Sequence, residues 1–386
     1  MTPAFALPPF TPPPGAVQLR AEIRDFLTRH PPPADPVRRA NCWSVADAGF
    51  SRALGAAGWL GMVWPRAYGG HDRPAMERYI VLEELLAAGA SVGAHWIADR
   101  QTGPLLLRYG SEGQRRKYLP GMAAGTLFAC IGLSEPGAGS DLAGVRSRAE
   151  RAPGGWRING QKLWTSGAHH AHVMLALLRS APGSERQQGL SPFLIDMDTP
   201  GITVRPVIDL VGNHDFNEVF FDDVLVPDDA LVGIESNGWA QVTAELAIER
   251  SGPERYLSSH ALLVTLVDAA RRSGADNAAL NAALNAALGR LLAELWTLRQ
   301  MSMATAAKLA GGEDPVVEAA IVKDLGNDFE QRLPLVVQSV LDLDLDGASD
   351  LARVLAHLLQ VSPSFSLRGG TREVLRGIIA RGLGLR

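Results

Sequence analysis

Between about residues 126 and 233 the chain abandons helical spacing for short strand-sized segments, and helical spacing returns from about residue 236. This order, helices then strands then helices, constrains the fold more than any single motif. It argues against an alternating βαβ parallel sheet. In the middle zone "WRINGQKLW" carries Asn159-Gly160 between apolar–polar alternations, a hairpin signal. "HVMLALLRS", "SPFLIDMD", "ITVRPVI" and "NEVFFDDVLVP" follow, divided by Gly, Pro and Asp. That spacing predicts a compact antiparallel β-domain or barrel. The expected class is α+β, mostly α. Residues 1–16 form a Pro-rich tail, 17–125 an N-terminal helical domain, 126–233 the central β-domain and 234–386 a C-terminal helical bundle.

The helical zones carry their own punctuation. Ser111 with Gln114 three residues later is a capping-box arrangement. "NAALNAALNAAL" spaces Leu280, Leu284 and Leu288 by four, as a packed helix does. Gly369-Gly370-Thr371 reads as a helix entry with Thr371 as N-cap, and a helix start of this kind presents free N–H groups to a phosphate.

One stripe is unusual. In "AQVTAELAIERSGPER" the positions Trp239, Val242, Leu246 and Glu249 fall on one helical face, and the last is a carboxylate. Either the stripe ends there and Glu249 faces water, or Glu249 is a base in an apolar setting. Pro253 lacks the N–H that would bond the carbonyl of Glu249, so a helix running through this point is expected to kink.

Composition excludes several function classes. A formal net charge of −4 gives no basic bias toward nucleic acid or anionic membrane. The two cysteines, Cys42 and Cys130, lie far apart without metal-ligand spacing, which fits a reducing, cytoplasmic compartment. No apolar run approaches a membrane span. "SEPGAGSD" fails the dinucleotide fingerprint because Leu142 stands where the third glycine belongs, and it has no Gly-Lys-Ser/Thr. Its backbone amides and serines still suit an anionic or heteroaromatic ligand. "DLDLDG" imitates a calcium loop, but Arg353 occupies the twelfth position. "GAHHAH", with His169, His170 and His172, lacks partner ligands at metal spacing, so no metal is expected. Lys162 reads as a structural surface residue.

Seven segments in order, from "LGAAGWLGMVWPRAYGG" through "GLSEPGAGSDLAG", "INGQKLWTSGAHHAH" and "ESNGWAQVTAELAIER" to "GGTREVLRGIIAR", resemble the acyl-CoA dehydrogenase family. The resemblance implies an N-terminal helical domain, a central β-domain and a C-terminal four-helix bundle. It implies FAD, an acyl-CoA substrate, an electron-transfer flavoprotein as acceptor, and a homotetramer or heterotetramer. The implied reaction is α,β-dehydrogenation: a base removes the α-proton, the thioester oxygen is stabilised by preorganised donors, and hydride passes to flavin N5.

Many family members carry the base as the Glu of an "EGT" pattern, and here that position is Gly369. A second group places it on the helix after the β-domain, immediately before an Arg, which matches Glu249-Arg250. Glu249 is therefore the expected base, and burial would raise its pKa toward usefulness. Gly369 keeps its N–H as an oxyanion donor. Leu133, Ser134, Ser140, Trp164, Thr165, Ser166, Thr371 and Glu373 match cofactor-facing positions, and Ser140 and Arg250 are expected substrate contacts. The family's Arg-x-x-Phe-Gly…Gln pattern is missing; Arg271 and Arg272 stand in its region. That departure keeps open a non-catalytic or co-catalytic subunit of a heteromer. An oxidase or monooxygenase on the same fold is a third alternative.

Overall fold

The computed structural model describes residues 5–242, 250–272, 278–341 and 343–385, without the side chains of 272 and 278–281. Among the described residues six α-helices precede the strands: α1 (Ala16–Arg29), α2 (Pro36–Ala40), α3 (Ala48–Ala56), α4 (Ala75–Ala88), α5 (Gly103–Tyr109) and α6 (Glu112–Ala123). The strands are β1 (Ala129–Gly132), β2 (Arg148–Ala152), β3 (Gly155–Ser166), β4 (Val173–Arg179), β5 (Leu190–Asp196), β6 (Ile202–Val207) and β7 (Phe216–Pro227). Then come α7 (His260–Arg272), α8 (Ala278–Ala310), α9 (Val316–Val340), α10 (Asp350–Val361) and α11 (Arg372–Gly382). The helix–strand–helix order predicted from texture is the order observed. Contacts group the chain into two units: Met1–Cys42, Pro74–Ala90 and Ala247–Arg386 form one, Trp43–Arg73 and Ser91–Leu246 the other.

In the second unit a seven-stranded sheet runs β1-β4-β2-β3-β7-β6, with β5 also on β4. It is mixed and not purely antiparallel, because β4 pairs parallel with both β1 and β2. Strand β4 explains the "VMLALL" run. Met174, Ala176 and Leu178 enter the cluster around Trp156 and Phe193, while Val173 and Leu175 pack on the opposite side with Leu105, Leu119 and Met122. Period-2 alternation with both faces covered leaves no polar position. Ser111 and Gln114 close the expected capping box on α6.

Asn159-Gly160 is not a hairpin turn. Strand β3 runs through it, and the β2–β3 reversal occurs after Ala152. The pairing of β3 with β7 slips between Ile158 and Gly160. Gly160 has φ 143°, and a Cβ there would lie 2.4 Å from Ser147 Oγ. The glycine serves a bulge and a close approach, the other standard use of Gly in a strand.

In the first unit α9 packs against α8 and α11, and α4 against α1 and α8. A buried charge cluster binds α1, α4 and α8. Glu83 accepts from Arg20 Nη2 at 2.6 Å and Arg299 Nε at 2.6 Å, and Tyr256 OH donates to it at 3.2 Å. Burial pushes the Glu83 carboxyl up, but the two guanidiniums outweigh it and hold the group below the ordinary range.

Trp239 and Val242 lie against the Leu177–Leu190 cluster, as the apolar stripe predicts. Leu246 and Glu249 lie outside the described residues. The expected kink at Pro253 is replaced by a break. Gly252 is extended, and Pro253 is the first residue of a 3-10 turn, Pro253–Arg255. Pro is well suited to a first helical position and ill suited to an interior one.

Candidate active site

On the β-unit the cofactor-facing residues of the sequence analysis converge on the end of β3 and the loop after β1. The β3–β7 register slips again between Lys162 and Thr165. Trp164 sits in that slip with φ 60°, a left-handed value that bulky residues avoid. The bulge ejects its indole, which is 56% exposed and edge-on to Phe216 at 5.7 Å. Leu163 N–H donates to the Ser134 carbonyl at 2.9 Å, tying the loop to the bulge. Ser166 and Ser140 are exposed, and Leu133 and Ser134 are half-buried. Thr165 Oγ1 is buried with no hydrogen-bond partner among the described residues. Gly137 and Gly139 have open space where a Cβ would stand.

Lys162 is not a surface residue. Its side chain is fully buried and its Nζ donates to Glu135 Oε1 at 2.7 Å, Leu177 O at 2.7 Å and Leu133 O at 3.3 Å. Glu135 in turn accepts from the N–H groups of Arg146 and Ser147, at 2.7 and 3.0 Å. Burial pushes Lys162 down to about 8 against the pull of Glu135. The ammonium thus clamps the loop bearing Leu133 and Ser134 to the strand bearing Trp164. Sequence reading missed this because the partner carboxylate lies in the glycine-rich loop, 27 residues earlier, with β2 between.

Of the GAHHAH histidines, His169 and His170 pack together with His214, while His172 lies against Phe128 at 5.3 Å. His169 lies 3.9 Å from His214 at 15° and 3.9 Å from His170 at 48°. Asn217 joins His169 and His214 with contacts of 3.0 and 2.8 Å. His169, His172, His214, Asp196 and Asp198 line a cavity of about 650 Å³. Burial, followed by the neighbouring imidazoles, pushes His169 down to about 4.

The helical unit presents the second group of residues. Thr371 caps α11, its Oγ1 accepting from Val374 N at 3.5 Å, as predicted. Gly369 and Gly370 precede it with φ 63° and 101°, left-handed values that favour glycine. Arg250, 8% exposed, donates from Nε to Gly369 O at 3.1 Å. Lys323, fully buried on α9, donates from Nζ to Gly370 O at 2.7 Å. Glu373 is exposed in the first turn of α11 and its carboxyl is held low, first by its own backbone N–H and then by Thr371. Arg271 is exposed and faces Asp268 at 3.7 Å. Sequence reading passed over Lys323, whose one available signal was a cation inside the apolar "EAAIVKDL".

Family models agree with this picture. Residues 14–126 match "Acyl-CoA dehydrogenase, N-terminal domain" and residues 130–224 match "Acyl-CoA dehydrogenase, middle domain". The acyl-CoA dehydrogenase IpdE1 of Mycobacterium tuberculosis is 34% identical over 346 residues, 87% of each chain. Acyl-CoA dehydrogenase FadE34 of the same organism is 35% identical over 335 residues, 86% of this chain; the chain spans 45% of that longer relative. Among solved structures, the Tcur3481-Tcur3483 steroid ACAD superposes with a TM-score of 0.86 at 28% identity, covering 97% of this chain and 98% of its own. The chain belongs to the acyl-CoA dehydrogenase family.

The residues present fit FAD. A planar heteroaromatic ring needs an exposed flat partner and donors beside it, and Trp164, Ser166 and the orphaned Thr165 hydroxyl supply them. A diphosphate needs uncrowded N–H groups, and the loop around Gly137 and Gly139 and the start of α11 each offer them.

Proposed function

We propose that this chain is a FAD-dependent acyl-CoA dehydrogenase that converts a CoA thioester to its 2-enoyl form, with Glu249 as the α-proton base and the Gly369 N–H as oxyanion donor. The observation that carries the reading is the tether between Arg250 and Gly369. The residue covalently after the candidate base is bonded to the turn that lacks the family's usual base. Gly369 cannot take a proton, and Glu249, which sequence spacing puts in line with Trp239 and Val242, carries a carboxylate that can. FAD, when bound, accepts the β-hydrogen with its electron pair. On the β-unit Leu133, Ser134, Ser140, Trp164, Thr165 and Ser166 would hold it; Thr371 and Glu373, on the helical unit, are taken separately as nucleotide contacts. Arg250 serves the substrate indirectly, by holding the turn.

The substrate class we favour is a bulky, polycyclic acyl-CoA, after the steroid relative's name. Electrons leave to an electron-transfer flavoprotein, in the cytoplasm; among the described residues no helix is long and apolar enough to cross a membrane. Anaerobic flavin reduction across an acyl-CoA panel tests the reading. Bleaching by a polycyclic acyl-CoA at rates above those of short straight chains is expected, and no bleaching by any thioester would overturn it.

The steroid relative's name joins two designations, which favours a second arrangement in which this chain is one of two unlike subunits in a heterotetramer. Expression of the chain alone separates the two. A yellow, active homotetramer removes the heteromer, and a colourless or aggregated product supports it.

A further inference from the structure

Two glycines in series are the least preorganised pair a chain can contain, because neither has a Cβ to narrow its φ/ψ choice. An oxyanion donor on such a turn must be held from outside. Helix α9 carries three polar side chains at four-residue intervals, so all three share one face. Each bonds a different point of the segment leading through that turn. Gln331 Nε2 donates to Pro363 O at 3.0 Å and to Ser366 Oγ at 3.2 Å. Asn327, 1% exposed, satisfies both its neighbours in the amide orientation in which its N donates to Phe365 O and its O accepts from Lys323 Nζ, both at 3.2 Å. Lys323 then closes the series on Gly370 O at 2.7 Å.

A fully buried ammonium is costly unless its donors are used, and this one meets a backbone carbonyl and a side-chain amide. The support is itself closely packed. A Cβ on Gly326 of α9 would stand 1.9 Å from Arg255 O, so the helix lies flush against the Pro253–Arg255 turn. We propose that Lys323, Asn327 and Gln331 form a positioning ladder that holds the Gly369-Gly370 turn in the geometry needed to meet a thioester oxygen. Lys323 touches no substrate in this account; it acts through the Gly370 carbonyl. The ladder's part in turnover rests on the proposed dehydrogenase reading, but its effect on the turn does not.

The experiment is amide hydrogen exchange over residues 363–375 of the full FAD-loaded chain, with steady-state kinetics on the same samples. K323M is expected to speed exchange in that segment about 10-fold while the rest of the helical unit is unchanged. It should lower kcat by about 10- to 100-fold with KM within about 3-fold, the signature of a misplaced donor. K323R, which keeps a donor within reach of Gly370 O, restores part of both. Q331A, at the half-exposed end, speeds exchange at the Pro363 side alone and keeps the proposal testable if K323M does not fold. Unchanged exchange over 363–375 in K323M or Q331A would overturn the ladder, as would faster exchange spread evenly through the unit. Wild-type chain that reduces no flavin with any acyl-CoA, yet shows the local K323M effect, would sink the dehydrogenase reading and leave the ladder standing.

Discussion

Arg250 reaches across 119 positions of sequence to bond the carbonyl of Gly369. One of these residues follows the candidate base, and the other occupies the position where the family resemblance would put a base. A guanidinium donates in a fixed plane, so the contact sets orientation as well as distance. R250K replaces the planar donor by a point charge, and R250M removes the donor. Both should lower the rate of flavin reduction, by about 10- to 100-fold for R250M, with FAD still bound. Stopped-flow absorbance on the two variants checks the order; equal rates in wild type and R250M would remove Arg250 from the turn's support.

The Lys162–Glu135 pair predicts strong non-additivity. Removing one member strands a buried charge, so K162M or E135Q alone should cost about 3–5 kcal/mol. K162M/E135Q leaves no buried charge, keeps an oxygen for the Arg146 and Ser147 N–H groups, and should recover part of that loss. Chemical denaturation of the singles and the double gives the coupling directly. Additive losses would show that the two groups act separately.

His169 gives a pH dependence of known sign. Unfolded, it takes up a proton near ~6.5; folded, it does so near about 4, because burial and then His170 and His214 disfavour the imidazolium. Between those values the unfolded chain binds more protons, so stability falls as the pH drops from 6.5 toward 4 and is insensitive to this group above 6.5. Asp196 and Asp198 line the same cavity, and Asp196 accepts from Lys117 Nζ at 2.8 Å and Tyr118 OH at 2.9 Å. H169N should flatten the thermal midpoint across that window. A wild-type midpoint that rises on acidification would contradict the assignment.

Gly160 is predicted to be intolerant of substitution. G160A forces a Cβ to within 2.5 Å of Ser147 Cβ and 2.7 Å of its Cα, at φ 143°. The backbone atom cannot move aside, so the loss should be about 2–3 kcal/mol, read as a lower denaturation midpoint. G154A, in open space on the β2–β3 turn, carries only the strain of its positive φ and should cost less.

These residues mark where sequence is readable and where it is not. Local signals carried through: Ser111 with Gln114 and Thr371 with Val374 are caps whose partners lie three residues away. The strand at residues 173–179 and the zone order needed only segment length and texture. Asn159-Gly160 misled because a turn and a bulge both want a flexible glycine, and only Ser147, thirteen residues earlier, distinguishes them. Lys162 misled because charge predicts exposure until a partner such as Glu135 is in view. Arg250, Lys323 and the Gly369-Gly370 turn are joined by contacts of high sequence separation, for which one sequence holds no register.

The central claim concerns Glu249, and a single variant tests it. Glu249→Gln preserves size and removes the basic oxygen. The account predicts a yellow E249Q protein with the FAD absorbance of wild type that no longer bleaches when acyl-CoA is added anaerobically. Retained bleaching in E249Q at a rate near wild type would contradict it and assign the base elsewhere.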